Sequence, residues 1–377
     1  MVAKSFKYIC TALLSTILIV NSPSLYAQEV GEVVENNHDV KEEKLDPAKI
    51  IMDHIKDAHE FHFFTIENKE NPHESFHASI PLPVILYSPT NGWKVFSSSK
   101  FGHTGEEEYE GYKFDENKEI VAVDGSVVYD LSLTKNVVQM LIALTILVLL
   151  MTGISKKYKN GIGVKSAPKG WQNAIEPVIT FVRDDVAKPN LGKKYQKYLP
   201  YLLTVFFFIL INNIFGLLPG SANVTGNIAF TLVLGVISLI VILLSSNKHF
   251  WGHIFWFPGV PMVVRLFIML PVELLGVFTK PFALIVRLFA NMVAGHIIIL
   301  SFISLIFIFG SMNGIAGWGF SPLSVAFAVF IYLIEIMVAF IQAFIFTNLT
   351  AVFIGQAVEE GHDDHHEEKA HHDVAVS

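Results

Sequence analysis

Apolar residues along this chain are gathered into unbroken runs, at about 133 to 154, 198 to 218, 227 to 246, 262 to 310 and 322 to 357. The first three runs match single helical crossings of a ~30 Å hydrocarbon core, which needs about 20 residues. The last two are too long for one upright crossing and predict tilting, kinking or an in-plane portion, with Pro271 and Pro281 as the breaks. Residues 28 to about 130 are polar and mixed. They carry turn signals at Ser88-Pro89-Thr90-Asn91-Gly92 and Val123-Asp124-Gly125-Ser126, and short β-leaning runs at Ile120 to Val123 and Val127 to Tyr129. This pattern predicts a helix over about Asp46 to His59, followed by a small strand-rich region outside the membrane. The predicted fold class is an all-α integral membrane protein with five transmembrane helices, the last two long and tilted. An amphipathic in-plane helix and a small extracytoplasmic N-terminal region with some β complete it.

Composition agrees: the chain is 52% hydrophobic, with 31 Phe and a mean hydropathy of +0.48, as expected of a polytopic membrane protein. The net charge of -7 is a sum of unlike segments and says little by itself. Residues 1–27 place Lys4 and Lys7 before a short apolar stretch from Tyr8 to Val20, the layout of a signal peptide cut after Ala27. Leu25 is an imperfect residue two before that cut, which leaves an uncleaved anchor as the alternative. Cys10, the only cysteine, lies in this leader, so a cleaved chain has no disulfide chemistry. The domain reading is therefore 1–27 leader, 28–130 extracytoplasmic region, 131–357 five-span domain and 358–377 tail.

Charge matters most in the loops. Lys156, Lys157, Lys159, Lys165, Lys169, Arg183, Lys188, Lys193, Lys194 and Lys197 lie between the first and second runs, whereas loops 219–226 and 311–321 carry no Lys or Arg. The basic loop is expected in the cytoplasm, which puts residues 28–130 outside and the carboxyl terminus inside. Within that loop "GWQNAIEPVITFVRDDVAKP" has Trp171, Ile175 and Ile179 at helical spacing, the pattern of a helix lying on the membrane. The acidic, His-rich tail is read as solvated. His54, His59, His62, His73, His77 and His103 lack the tight spacing of a metal site and are read as solvated surface. No metal, cofactor or nucleic-acid site is expected.

Polar groups inside a span are costly, so each is a functional candidate. The fourth run contains Glu273, Lys280, Arg287, Asn291 and His296; the fifth contains Glu335, Gln342 and Asn348; the second contains Asn212 and Asn213. Glu273, Lys280 and Arg287 are seven residues apart and Asn291 is four further on, so all four share one helix face if the helix continues through Pro281. His296, nine past Arg287, points to the opposite side. Glu335 and Gln342 are also seven apart, so antiparallel packing sets Gln342 beside Arg287 while Glu335 approaches His296. A His/Glu pair can pass a proton near neutral pH, whereas an arginine keeps its own and acts as a fixed charge. Glu273 and Lys280 are equally readable as snorkelling residues, and Asn212, Asn213 and Asn348 as helix–helix hydrogen-bond partners.

Three segments resemble subunit a of the rotary F-type ATP synthase: "INNIFGLLPG", "KPFALIVRLFANMVAGH" and "IEIMVAFIQAFIFTNLTAVFI". The likeness covers about 130 to 357. It implies that Arg287 is the essential arginine facing a rotor ring of hairpin subunits, the c-ring, with Asn291 and Gln342 as its neighbours. It further implies that Glu273 lies on the cytoplasmic exit path and that His296 with Glu335 lies on the outer path. Many bacterial members have an acid at the position of His296 and a histidine at that of Glu335; the two are exchanged here. Gly216 stands where several bacterial relatives have an aspartate. The implied protein binds no nucleotide itself and works in the bacterial inner membrane beside the c-ring, b-type peripheral stalk subunits and lipid. It moves H⁺, with Na⁺ left open because the ring's carboxylate decides the ion. The alternatives are a secondary transporter or channel, for which no internal repeat is present, and a non-transporting membrane scaffold.

Overall fold

In hydrocarbon a chain can satisfy its backbone only within each helix, and every long apolar run here folds as one. A computed structural model describes residues 56–66, 76–102, 107–115, 118–161, 170–218, 221–255, 262–312 and 314–358. The helices are α1 (Lys135–Lys159), α2 (Trp171–Phe181), α3 (Tyr195–Gly216), α4 (Ile228–Ser245), α5 (Lys248–Phe255), α6 (Leu270–Met312) and α7 (Gly314–Val358). Five helical segments, containing α1, α3, α4, α6 and α7, are long and apolar enough to cross a membrane, which makes this a multi-pass membrane protein. The expected leader and the acidic tail lie outside the described residues.

The expectation of a break at Pro281 is overturned, because α6 runs straight through it. Pro281 is buried where α6 crosses Gly235 of α4, and packing against a neighbouring helix holds the chain across the missing hydrogen bond. Pro271 lies within the same continuous helical segment, Met262–Gly310. The irregularity falls earlier, in a π-helical turn at Arg265–Met269. At ~1.5 Å per residue α6 and α7 are roughly 65 Å long, about twice a ~30 Å core, so neither can stand upright within it. The amphipathic reading of the basic loop yields α2, continued by a π-helical turn at Val182–Ala187 and one helical turn at Lys188–Leu191. Gly192, at φ 51, separates this segment from α3. Ile175 and Ile179 of α2 lie against the helical core, while Trp171 is exposed.

Between membrane helices the hydrophobic effect gives no preference for contact, and close approach by small residues takes over. On α7, Ala339, Ala343, Thr347 and Ala351 recur every four residues and are all fully buried. Gly355 continues the stripe, where a Cβ would collide with the Asn190 carbonyl. At Gly235 a Cβ would meet the Ile285 side chain, so α4 and α6 touch nearly backbone to backbone. Asn213 on α3 donates from its side-chain amide to the Ala339 carbonyl at 3.1 Å, and Asn190 donates to Asn348 at 2.9 Å, so both asparagines bridge elements. Asn212 instead bonds back to Phe208 in its own helix.

The N-terminal region contains an antiparallel pair β1 (Glu60–Ile66) and β2 (Phe76–Pro81). It continues with β3 (Pro83–Ser88), β4 (Gly92–Ser97), a short pair β5 (Tyr112–Phe114) and β6 (Ile120–Ala122), and β7 (Tyr129–Asp130), with β3 flanked by β4 and β7. Its core is Val84, Leu86, Phe101, Tyr112, Ile120 and Ala122. Both predicted turns form: Gly92 (φ 70) ends the β3–β4 turn, and the Asp124 carboxylate accepts from the Ser126 amide beside Gly125 (φ 71). The helix expected over Asp46 to His59 lies mostly outside the described residues, and residues 56–59 are not helical. Their groups are used elsewhere. Asp57 Oδ1 accepts from the Ala58 and Asn136 amides at 2.9 and 3.2 Å, and the Lys135 amide donates to the Ala58 carbonyl. Asp57 thus caps α1 from a distance, where Thr134 makes no side-chain cap.

His59 is likewise buried and not solvated: its Nε2 lies 2.8 Å from Asp130 Oδ2, while Asp130 Oδ1 accepts from the Ser132 amide at 2.8 Å. Burial alone would raise the Asp130 carboxyl, but the bonds from His59 and Ser132 outweigh it and hold the group below its usual 3.8. A carboxyl depressed in the folded state contributes stability above its unfolded pKa and loses it as pH falls through the folded value. Asp130→Asn is therefore expected to lower the melting temperature of the protein at neutral pH, with the gap to wild type closing as pH falls below 3.8. Asp57→Ala is expected to cost about 1 kcal/mol through loss of the α1 cap, read as faster proteolysis near Lys135.

Candidate functional site

α6 and α7 form an antiparallel hairpin whose register is fixed by stacked aromatic pairs, Phe309 with Phe320 at 4.1 Å and Phe302 with Phe327 at 5.4 Å between ring centroids. Near the turn the helices meet through glycine, Gly317 against the backbone of Gly310. Continuing this register brings His296 to Glu335 and sets Arg287 level with Gln342. The sequence-level expectation of a His296–Glu335 approach is met in space, at 3.2 Å between Nδ1 and Oε1.

His296 projects from α6 toward α3 and α7. Its Nε2 lies 2.9 Å from the Gly216 carbonyl, and its Nδ1 is 3.0 Å from the Met292 carbonyl one turn back. A carbonyl can only accept, so Nε2 carries a hydrogen in either charge state. The remaining proton belongs to Nδ1 or to Glu335. With a charged imidazolium, Nδ1–H faces the carboxylate; with a neutral ring, Nδ1 faces a protonated carboxyl. The Met292 carbonyl beside Nδ1 is also an acceptor, so this geometry suits a ring that carries a hydrogen on both nitrogens beside the Glu335 carboxylate, and a neutral ring would have to turn Nδ1 away from that carbonyl. The Glu335 side chain is only 4% exposed and His296 21%. Neither Glu335 oxygen makes a well-aligned hydrogen bond among the described residues.

Glu335 reaches this position because the helix opposite it has no side chain. A Cβ at Gly295 would collide with the Glu335 carboxyl group. Next to Gly216 stands Asn223, whose Oδ1 accepts from the Gly226 amide while Nδ2 has no partner among the described residues. Asn212 Oδ1, Asn213 Oδ1 and Thr225 Oγ1 are buried and likewise unpartnered. A dry interior charges about 1–3 kcal/mol for each such atom, and four of them concentrate near the end of α3.

Arg287 lies on another face. Leu284, Leu288 and Met292 bury one side of α6, whereas Arg287 and Asn291 are exposed among Phe282, Val286 and Phe278, which are exposed as well. Among the described residues Arg287 makes no ion pair or hydrogen bond, and Gln342, though level with it, is buried and not bonded to it. Since α6 continues through Pro281, Glu273, Lys280, Arg287 and Asn291 do share one side of one helix. Glu273 is half-buried and lies roughly 20 Å from Arg287 along the helix. Lys280 donates to Gln356 at 3.0 Å and stands 5.1 Å from the Phe353 ring centre, so it belongs to the α6–α7 contact.

Three contributors were not visible in the sequence reading. The Gly216 carbonyl is backbone and leaves no side-chain signal. Tyr332, one turn before Glu335, donates to the Leu217 carbonyl at 3.2 Å. Gln139, the lone glutamine in the first apolar run, pairs with both backbone groups of Ala222 and pins the α3–α4 loop; a glutamine one turn inside a greasy span was the available clue. Gly295→Ala is expected to push the Glu335 carboxyl off His296 and cost about 1–3 kcal/mol by overpacking. The readout is the infrared band of Glu335, assigned by its loss in Glu335→Gln: a shift is expected, and an unmoved band contradicts the contact.

Comparison with known proteins places this geometry. Residues 137–355 match the family model for the ATP synthase A chain, and residues 50–138 match a second model described only as a domain of unknown function. ATP synthase subunit a of Chloroherpeton thalassium is 48% identical over 246 residues, 65% of this chain and 71% of the relative. The protein of that name from Chlorobium phaeobacteroides strain DSM 266 is 46% identical over 247 residues, 65% of this chain and 70% of its own. One from an Anaeromyxobacter strain is 41% identical over 274 residues, 70% of this chain and 63% of its own. The match spans all five membrane helices, and this chain belongs to the ATP synthase A chain family.

Proposed function

We infer that this chain is the proton-channel subunit of the stator in an F-type ATP synthase, carrying H⁺ through two offset half-channels to and from carboxylates of a c-ring. The observation that carries the reading is the separation of two polar devices on one helix. An acid–imidazole pair, His296 and Glu335, is packed inside the bundle, while a lone guanidinium, Arg287, faces outward from an apolar surface about 14 Å further along α6. A charge left facing hydrocarbon costs roughly 2.5–3.5 kcal/mol or more, and none of the described residues supplies a carboxylate to meet it. A ring carboxylate sliding past Arg287 supplies one.

In this mechanism a proton enters from outside past the unpartnered polar atoms at the end of α3 and reaches the His296–Glu335 pair. The pair passes it to a ring carboxylate, and the neutral subunit turns into lipid. After nearly a full turn that carboxyl meets the cytoplasmic path near Glu273, releases its proton, and is held as an anion by Arg287. Asn291, one turn from Arg287, and Gln342, level with it on α7, line the passage. Arg287 cannot itself relay the proton, and its charge interrupts any continuous wire between the two paths. The exchange of acid and imidazole between the His296 and Glu335 positions keeps one of each and so keeps the pair. The chain lies in the bacterial inner membrane with the basic loop and carboxyl terminus in the cytoplasm and residues 28–130 outside, beside b-type stalk subunits.

ATP-driven acidification of inverted vesicles tests the reading. Arg287→Ala is expected to abolish pumping, a loss of at least about a hundredfold, in a complex that still assembles. Normal pumping by assembled Arg287→Ala complexes would overturn it.

A further inference from the structure

Between α1 and α3 the basic segment closes a groove of about 640 Å³ whose lining changes character along its length. Met151, Leu199, Leu203 and Thr204, whose hydroxyl donates back to the Pro200 carbonyl, form one end, and Ser155, Arg183 and Gln196 form the other. Ser155 adjoins Lys156 and Lys157 at the end of α1, and Gln196 lies in the first turn of α3, so the polar end coincides with the level where both helices leave the apolar core. Leu203 is seven residues deeper than Gln196, roughly 10 Å by helical rise. The groove thus repeats, in order and in scale, the passage from headgroup to acyl chain in one leaflet. On α1 the neighbouring Leu144, Val148 and Leu149 are exposed, so its apolar end adjoins a lipid-facing surface.

The polar end also carries the matching charge. Arg183 binds Asp184 through Nε at 2.9 Å and Nη2 at 2.7 Å, and Lys188 reaches the same carboxylate at 2.6 Å, leaving the trio one positive charge in excess. The Lys188 ammonium stands 5.7 Å from the ring centre of Tyr195, which also lines the groove. The Arg183 side chain is 42% exposed and held in orientation by Asp184, with Nη1 free of that pairing. A bidentate pair of this kind fixes the guanidinium plane at no further entropic cost to a second anion. The acids Glu176 and Asp185 line a separate neighbouring groove.

We propose that this groove seats one anionic phospholipid of the leaflet next to the basic loop. Its phosphate is held by Arg183 with Ser155 and Gln196, and one acyl chain lies along Met151, Leu199 and Leu203. A soluble phosphate compound would leave the apolar end unused, and a partner's membrane helix would have to bury the charged end; a phospholipid matches both. The site lies apart from the proton path, so its occupancy can be read without reference to pumping.

The test uses the whole complex in phosphatidylcholine nanodiscs containing a photoactivatable phosphatidylglycerol, with labelled peptides mapped by mass spectrometry. Labelling of the α1 and α3 peptides at the groove is expected, reduced at least about five-fold by Arg183→Gln and by the groove-filling Leu203→Trp, and unchanged by Lys197→Gln, which alters the same basic surface outside the groove. Excess soluble glycerol phosphate should not compete. Labelling indifferent to both groove variants overturns the proposal. So does competition by glycerol phosphate, which points to a soluble-phosphate site, or a groove cross-linked to a helix of another subunit.

Discussion

A permanent positive charge cannot be left facing hydrocarbon, and Arg287 is placed where the described residues offer it no counter-ion. Around it the exposed surface of α6 is apolar, with Phe278, Phe282 and Val286 beside it and Asn291 one turn on. Such a surface is incomplete alone. In the proposed function its partner is apolar enough to slide, and presents a carboxylate at that depth which can be neutralised when it moves away. On the function proposed above, the constraint that makes Arg287 costly in an isolated chain is the one that couples it to a moving partner.

The rest of the membrane bundle serves to hold this face and the His296–Glu335 pair at fixed positions on opposite sides of one helix. That requires α6 to be continuous, and it is, through Pro281. It also requires close helix contacts, which come from the small-residue stripe on α7 and from Gly235 and Gly295. Gly295 shows how narrow the tolerance is: one methyl group at that position occupies the space of the Glu335 carboxyl. The N-terminal region is tied to the same frame, because Asp57 caps α1 and Gln139 of α1 holds the loop that follows α3.

Much of this was legible in the sequence. Unbroken apolar runs gave the five spans, because a backbone in lipid leaves no alternative to helices. The seven-residue spacing of Glu273, Lys280 and Arg287 put them on one face, and antiparallel packing brought Glu335 to His296. What the sequence hid has physical causes. Pro281 reads as a break because its penalty is local, whereas the packing that overrides it comes from a helix forty-six residues earlier. His59 looked like one of six surface histidines, and only the fold brings Asp130 to it. The Gly216 carbonyl, which fixes the ring of His296, is identical in every residue type. Lys280 shared the arginine's face by periodicity, yet its long stem carries the ammonium across to Gln356 on α7.

The most direct test of the central claim is disulfide cross-linking in a complex whose Cys10 has been replaced, between single cysteines on α6 and a cysteine one turn from the ring's carboxylate. Asn291→Cys and Val286→Cys, on the exposed side with Arg287, are predicted to cross-link to the ring, and Leu288→Cys, on the buried side, is not. Cross-links from Leu288→Cys with none from Asn291→Cys in assembled complexes would mean that the arginine face does not meet the ring, and the account would fail at its centre.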